Sequence, residues 1–225
     1  MMKVFSLAVC ILLIGLSAVA QNKTYPPKIE GAKEHIYKTI DDVDMKLWVF
    51  HPESTDEPVP AMLFFFGGGW SSGSPSQFVG QSEHLAKRGM AGIVVDYRVK
   101  SRHGVQAKDC VADASDALKY VTENAESMGI DPERIGVGGG SAGGHLAGCL
   151  GTVGANESFA PKAMALFNPA VVLAPIKLPK GMPAKAREMV EAASADYEKK
   201  SAELTERMGV DPKELSPFHQ AKKNS

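Results

Sequence analysis

The chain has 225 residues, 44% of them apolar and 23% charged, with a formal net charge of -1. That length is room for one domain of ordinary size, and the composition is globular rather than disordered. Near-neutral charge removes the electrostatic case for nucleic acid or an anionic membrane as partner, and the closing Ala221-Lys222-Lys223-Asn224-Ser225 is too short to restore it.

Residues 1-20 stand apart. Lys3 precedes an apolar run from Val4 to Leu16, and Ser17-Ala18-Val19-Ala20 follows. A charged start, an apolar core and an A-x-A end are the marks of a secretory signal peptide. Cleavage is expected after Ala20, leaving Gln21 first, with an uncleaved anchor as the alternative. The run is shorter than the roughly 20 apolar residues of a membrane span. Cys10 lies inside it rather than after it, which argues against a lipoprotein cysteine. The expectation is a secreted or periplasmic protein with no stable membrane anchor after signal cleavage. Export permits a disulfide between Cys110 and Cys149, but sequence does not place the sulfurs together, and their apolar neighbours favour free, buried thiols. No Cys-x-x-Cys or His-Glu-x-x-His spacing occurs, so there is no metal signal.

Gln21 to Lys33 reads as an extended polar leader. His35–Ile40 and Met45–Phe50 flank Asp41-Asp42-Val43-Asp44 as an antiparallel hairpin, and His51 to Pro60 is a Pro-rich loop. The pattern then changes. Ala61–Phe66 is a continuous apolar run, as in a strand covered on both faces. Gln77–Arg88 has helical spacing and stops at Gly89. Ala91–Val95 is a second buried strand. Asp109–Met128 is amphipathic, with Val111, Ala114, Leu118 and Val121 at three- and four-residue steps, and Gly129 ends it. Arg134–Val137 is a third strand, Ser141–Leu150 a helix and Lys162–Phe167 a fourth strand. This alternation predicts an α/β fold with a mostly parallel sheet and helices on both faces. After Val171 the text turns irregular, then charged and helical from Pro183 to Met208; residues 175-217 are a candidate lid or cap. Residues 21-225 are read as one domain.

Two glycine strings follow buried strands. In Gly139-Gly140-Ser141-Ala142-Gly143 the pattern Gly-x-Ser-x-Gly falls between a strand and a helix. A hydroxyl is a poor nucleophile until a base takes its proton. A sharp strand-to-helix turn presents it, and glycines avoid collisions around that turn. Ala142 N–H, at the first turn of the helix, is free to bind a developing oxyanion. Gly138, Gly140 and Gly143 also satisfy the dinucleotide pattern Gly-x-Gly-x-x-Gly. That reading wants an acid at the end of the next strand, where the sequence has Asn168-Pro169. A purely structural glycine turn is the remaining alternative. The second string, Gly67-Gly68-Gly69-Trp70, would crowd backbone N–H groups around a substrate oxygen.

The succession of Gly67-Gly68-Gly69-Trp70, Asp96-Tyr97-Arg98, Gly129-Ile130-Asp131-Pro132-Glu133-Arg134-Ile135 and Gly139-Gly140-Ser141-Ala142-Gly143-Gly144-His145 resembles that of the α/β-hydrolase serine esterases. The hormone-sensitive-lipase-type and secreted carbohydrate-esterase-like members are the nearest in pattern, over residues 35-220. The resemblance implies ester hydrolysis with no cofactor, Ser141 as nucleophile, and Gly68, Gly69 and Ala142 as oxyanion donors. It implies a small-molecule or carbohydrate ester as substrate, acetyl esters among them. Family members usually have histidine where this chain has Phe66.

The family orders its triad as Ser, then Asp or Glu, then His, on loops after two later strands. Ser216-Pro217-Phe218-His219 resembles the entry to the first of those strands, so the fold is expected to be incomplete at the C-terminus, by about 60 to 90 residues of a usual domain. Among the histidines present, His145 should point into the fold, one helical turn beyond Ser141. His219 falls in a probable loop, His84 on a helix, and His103 on a loop near the C-terminal edge of the sheet. Asp96 is expected to anchor a turn with Arg98. A catalytically inactive fragment or binding relic, and a serine peptidase of the same fold, stay open as alternatives.

Overall fold

The computed structural model describes residues 25–221 other than 54 and 179. The expected signal peptide, residues 1-20, lies outside the described residues. The leading hairpin is β1 (Lys33–Ile40) and β2 (Val43–Phe50), paired antiparallel. Asp41 and Asp42 turn between them with φ of 47° and 60°, a conformation that short polar side chains tolerate. Next come β3 (Val59–Phe65), a short 3-10 turn (Pro75–Phe78), α1 (Val79–Ala86), β4 (Ala91–Val95) and the one-turn α2 (Lys100–His103). Then follow α3 (Ala107–Glu123), β5 (Ile130–Gly140), α4 (Ala142–Leu150), β6 (Ala163–Phe167), α5 (Ala184–Met208) and α6 (Pro217–Ala221).

The sheet order is β1-β2-β4-β3-β5-β6. β4, β3, β5 and β6 run parallel, and β2 joins β4 antiparallel. From β3 the chain steps to β4 on one side, then crosses back to β5 on the other side and continues to β6. Right-handed crossovers in opposite directions must use opposite faces of a sheet. Accordingly α1 packs with Trp48, Phe50, Phe64 and Val94 on one face, while α3 and α4 pack with Leu63, Phe65, Ile93, Val95 and Val137 on the other. The reversal puts a crevice at the carboxyl ends of β3 and β5, the place where ligands bind in open α/β sheets.

Some expectations needed correction. The amphipathic run to Met128 is not one helix: α3 ends at Glu123, and a separate 3-10 turn spans Glu126–Met128 before Gly129 at φ 65°. Asp96 does not pair with Arg98. Arg98 makes a forked contact with buried Asp113, 2.8 Å from its terminal nitrogen to Oδ1, and Lys38 reaches the same carboxylate. Asp96 instead accepts from Tyr97 N–H at 2.9 Å and from the Tyr25 hydroxyl. Burial lifts its pKa to about 6 against the pull of Tyr25 and Arg102. Ser216 to His219 is not an extended entry but leads into α6, with Ser216 Oγ donating to Val171 O at 3.0 Å. The candidate lid region holds α5, which meets α3 where Gln106 Nε2 donates to Glu206 O at 2.6 Å and Met208 is buried. Cys110 and Cys149 are free and buried. No described helix is long and apolar enough to cross a membrane.

Candidate active site

Ser141 stands between β5 and α4 at φ 51°, ψ -113°. A side chain in that region carries roughly 1–3 kcal/mol of backbone strain and persists only when its surroundings over-determine it. Here they do. A Cβ on Gly139 would lie 2.5 Å from Phe65 O, and one on Gly143 would lie 2.0 Å from the same oxygen. Strand β5 and helix α4 are thus pressed against β3 with backbone on backbone, as the tight turn requires. The serine turn is also pinned to β6, because Ser141 N–H donates to Phe167 O at 2.9 Å. The serine itself is exposed. Its hydroxyl has no partner among the described residues.

The glycine string lies beside it. Phe65 is in register with Gly139, so the two strings leave neighbouring strand ends together. A Cβ on Gly67 would stand 2.8 Å from Gly140 O and 3.4 Å from Ser141 Cβ. Gln77 clamps this peptide on both sides: Gly67 N–H donates to its Oε1 at 2.8 Å, and its Nε2 donates to Gly67 O at 3.1 Å. Gly68, Gly69 and Trp70 then follow with φ of 142°, 61° and 59°. Their turn closes through Ser71 and Ser72 N–H onto Gly68 O. The N–H groups of Gly68, Gly69 and Ala142 have no acceptor among the described residues.

At Phe66, where the resembled family has histidine, a different brace operates. Its ring stacks on Tyr97 with centroids 4.0 Å apart, and the Tyr97 hydroxyl donates to Phe66 O at 2.6 Å. Gln77 and Tyr97 are supporting residues whose roles sequence reasoning missed: Tyr97 was read only as part of the Asp96-Tyr97-Arg98 string, and nothing in the local pattern distinguished Gln77 from an ordinary helix residue.

No described histidine reaches the serine. His145 points into the fold, as its place on α4 required. It is fully buried, Trp70 Nε1–H donates to its Nδ1 at 3.1 Å, and its Nε2 lies 2.8 Å from Leu215 O. Those partners fix the neutral tautomer with the proton on Nε2, and burial drives its pKa down to about 4. His219 lies in α6 rather than a loop, 2.8 Å from Ser216 Oγ and 3.2 Å from Pro175 O. His103 folds back to accept from Val99 N–H at 3.1 Å. His84 lines a groove on the α1 face with Phe64 and Phe167. The described residues hold no group of three or more metal-ligating side chains.

A mostly parallel sheet with helices on both faces, carrying a strained serine at the turn after β5, defines an α/β-hydrolase. The BD-FAE family model matches residues 47–174, and the chain belongs to that family. An AB hydrolase superfamily protein of Schizosaccharomyces pombe is 37% identical over 105 residues, 45% of this chain and 30% of that protein. The carboxylesterase NlhH of Mycobacterium tuberculosis is 29% identical over 160 residues, 68% of this chain and 50% of that protein. The chain therefore spans half the length of these curated relatives or less. Among solved structures, native esterase 2 of Thermogutta terrifontis is 41% identical with a TM-score of 0.73, covering 88% of this chain and 69% of that one. The same esterase phosphorylated by paraoxon is 40% identical with a TM-score of 0.69, covering 88% and 68%.

Proposed function

We propose that this protein hydrolyses carboxylic esters through Ser141 and an acyl-enzyme. The observation that carries the reading is the strained, exposed Ser141 set beside three unpaired backbone N–H groups, at the switch point of the sheet. Ser141 Oγ attacks the acyl carbon, and the carbonyl oxygen takes up charge facing Gly68, Gly69 and Ala142 N–H. Expulsion of the alcohol leaves the ester on Oγ, and water then releases the acid. Removing one such donor typically costs about 10²–10³ in rate, so a shared oxyanion bound by these N–H groups would be a substantial part of a catalyst. The carboxylesterase and esterase relatives support the same reaction class.

A general base is the component that the described residues do not place at Ser141. Without triad partners a serine hydrolase retains only the ~10³–10⁴-fold over water that binding and the oxyanion hole provide. Residues 1-225 alone are therefore expected to cleave p-nitrophenyl acetate little faster than a Ser141→Ala control. Added imidazole supplies the missing base, and the Ser141-dependent rate should rise with its concentration. Imidazole catalyses this ester by itself, so the difference from Ser141→Ala is the quantity to read. No Ser141-dependent component at any imidazole concentration overturns the assignment and leaves the binding-relic reading.

The finer reading is a small acyl group on carbohydrate, such as an acetyl ester, met outside the cytoplasm. The leader pattern of residues 1-20 supports export. Butyrate- and propionate-bound forms of the Thermogutta esterase support a small acyl pocket. Faster acetate release from acetylated sugars than acid release from long-chain p-nitrophenyl esters is expected, and the reverse order overturns it. N-terminal sequencing of exported protein should begin at Gln21; a start at Met1 or Met2 contradicts cleavage.

A further inference from the structure

Gly68, Gly69 and Trp70 are three consecutive residues at positive φ. The first two are glycines and accept this freely. Trp70 does not, so its backbone conformation must be held from elsewhere. The loop's own hydrogen bonds hold its outer side, where Lys100 N–H donates to Trp70 O at 3.0 Å and Ser101 N–H to Ser71 O at 3.0 Å. Gln77 and Tyr97 hold the residues that enter the loop, and the Trp70 side chain anchors its other end to α4. Its indole is buried, meets the His145 ring edge-on with centroids 5.1 Å apart, and donates its N–H to Nδ1 at 3.1 Å.

His145 is in turn fixed twice. It rides on α4, whose residues are buried throughout, and its Nε2 donates to Leu215 O at 2.8 Å. Cys149, one turn further along α4, donates from Sγ to the same carbonyl at 3.3 Å. A single imidazole thereby joins the glycine loop, the nucleophile helix and the segment entering α6. Both of its nitrogens are occupied, so it takes no proton from Ser141. A buried donor left without its acceptor forfeits its full solvation, which makes the Trp70–His145 bond a strong determinant of where the loop sits.

We infer that His145 is a positioning residue: held by the Leu215 carbonyl, it locks the Trp70 indole and so keeps the Gly68 and Gly69 N–H groups within reach of an oxyanion on Ser141. The inference rests on the reading of Ser141 as nucleophile.

Paraoxon tests it on the full chain. With imidazole added as the base, Ser141 Oγ forms a bond to phosphorus, the bond to p-nitrophenolate breaks, imidazole takes the serine proton, and the p-nitrophenolate released in excess of a Ser141→Ala control is counted. His145→Phe should slow phosphorylation about 10- to 100-fold, less than the ~10²–10³ lost with one whole oxyanion donor because the N–H groups are displaced rather than removed, with little change in the paraoxon concentration giving half-maximal rate. The two tryptophans, Trp48 and Trp70, give two indole N–H signals in a ¹H–¹⁵N spectrum, and Trp70→Phe identifies the second by its loss. In His145→Phe the Trp70 signal should move toward that of an unbonded indole. His145→Gln, which can accept from Trp70 and donate to Leu215 O, should recover most of the rate and the original signal. Should His145→Phe fail to fold, Trp70→Phe removes the same bond and should give the same slowing. Wild type that labels while His145→Phe or Trp70→Phe labels equally fast overturns the positioning role, as does a Trp70 signal that does not move. Wild type that labels no faster than Ser141→Ala at any imidazole concentration overturns the nucleophile reading itself, and the positioning role with it.

Discussion

Replacing Gly143 by alanine puts the packing behind the serine turn to a direct test. The added Cβ would lie 2.0 Å from Phe65 O and 2.5 Å from Phe66 O, whereas ordinary contact begins at 3.4 Å. Both obstructing atoms belong to the main chain of β3 and its exit, so no rotamer change relieves them. Helix α4 is buried on every side and has nowhere to retreat. Overpacking of a core costs about 1–3 kcal/mol and occasionally more; a clash of backbone with backbone belongs at the upper end, about 3 kcal/mol. For a domain of this size that lowers Tm by about 6–12 °C. Gly80, within α1, is the control. A Cβ there meets nothing within 4 Å, so alanine should stabilise by about 0.5–1 kcal/mol through helix propensity and a less free unfolded chain. Thermal unfolding followed by circular dichroism reads both signs. A Gly143→Ala protein that melts within a degree or two of wild type would refute the close approach of α4 to β3.

Other perturbations follow from the same contacts. Ser141→Gly relieves about 1–3 kcal/mol of strain and gives back about 0.4–1 kcal/mol through greater freedom of the unfolded chain; it should abolish phosphorylation by paraoxon while leaving Tm unchanged or a few degrees higher, and a clear fall in Tm contradicts the strain. Asp96 has a folded-state pKa raised from 3.8 to about 6 by burial, so the folded state binds more protons between these values and stability from this group is lost as pH rises through them. Asp96→Asn should therefore exceed wild type in urea-unfolding stability at pH 8, by up to about 3 kcal/mol, and the advantage should vanish near pH 4; an advantage that is constant with pH contradicts it. Burial lifts the Cys110 thiol to about 12 and the Cys149 thiol higher still. Both should resist a thiol reagent at pH 8 in the folded protein and react on unfolding, and rapid reaction of either in the native state is the contrary result.

The sequence pattern carried the layered architecture because the parallel strands are apolar on both faces and the helices show three- and four-residue steps. β4 matched residue for residue, since Gly89 and Asp96 bound an unbroken apolar run. Boundaries failed where side chains decide them. Helix α3 begins at Ala107, two residues before the expected start, because Gln106 and Asp109 cap each other reciprocally, and glutamine is not among the usual cap residues. Its end at Glu123 was hidden because Ala125 and Met128 continue the buried spacing within a tighter turn. The serine turn was legible from its glycines, whose spacing alone forces the close approach. Its supports were not. Gln77 on the Gly67 peptide, Tyr97 under Phe66 and His145 behind Trp70 act across ten to seventy-five positions of sequence, and no local periodicity records such pairs. The Asp96–Arg98 pairing failed for the same reason: the partner of Arg98 was Asp113, two elements further on in α3.

The most direct test of the central claim is to locate the phosphoryl group on the protein after exposure to paraoxon. With imidazole present as the base, peptide mass mapping of the full chain should find diethyl phosphate on Ser141 and on no other residue, with a Ser141→Ala protein left unmodified under the same conditions. Label spread over surface tyrosines and lysines, or equal labelling of Ser141→Ala, would show that the strained serine and its unpaired N–H groups do not form a nucleophilic site.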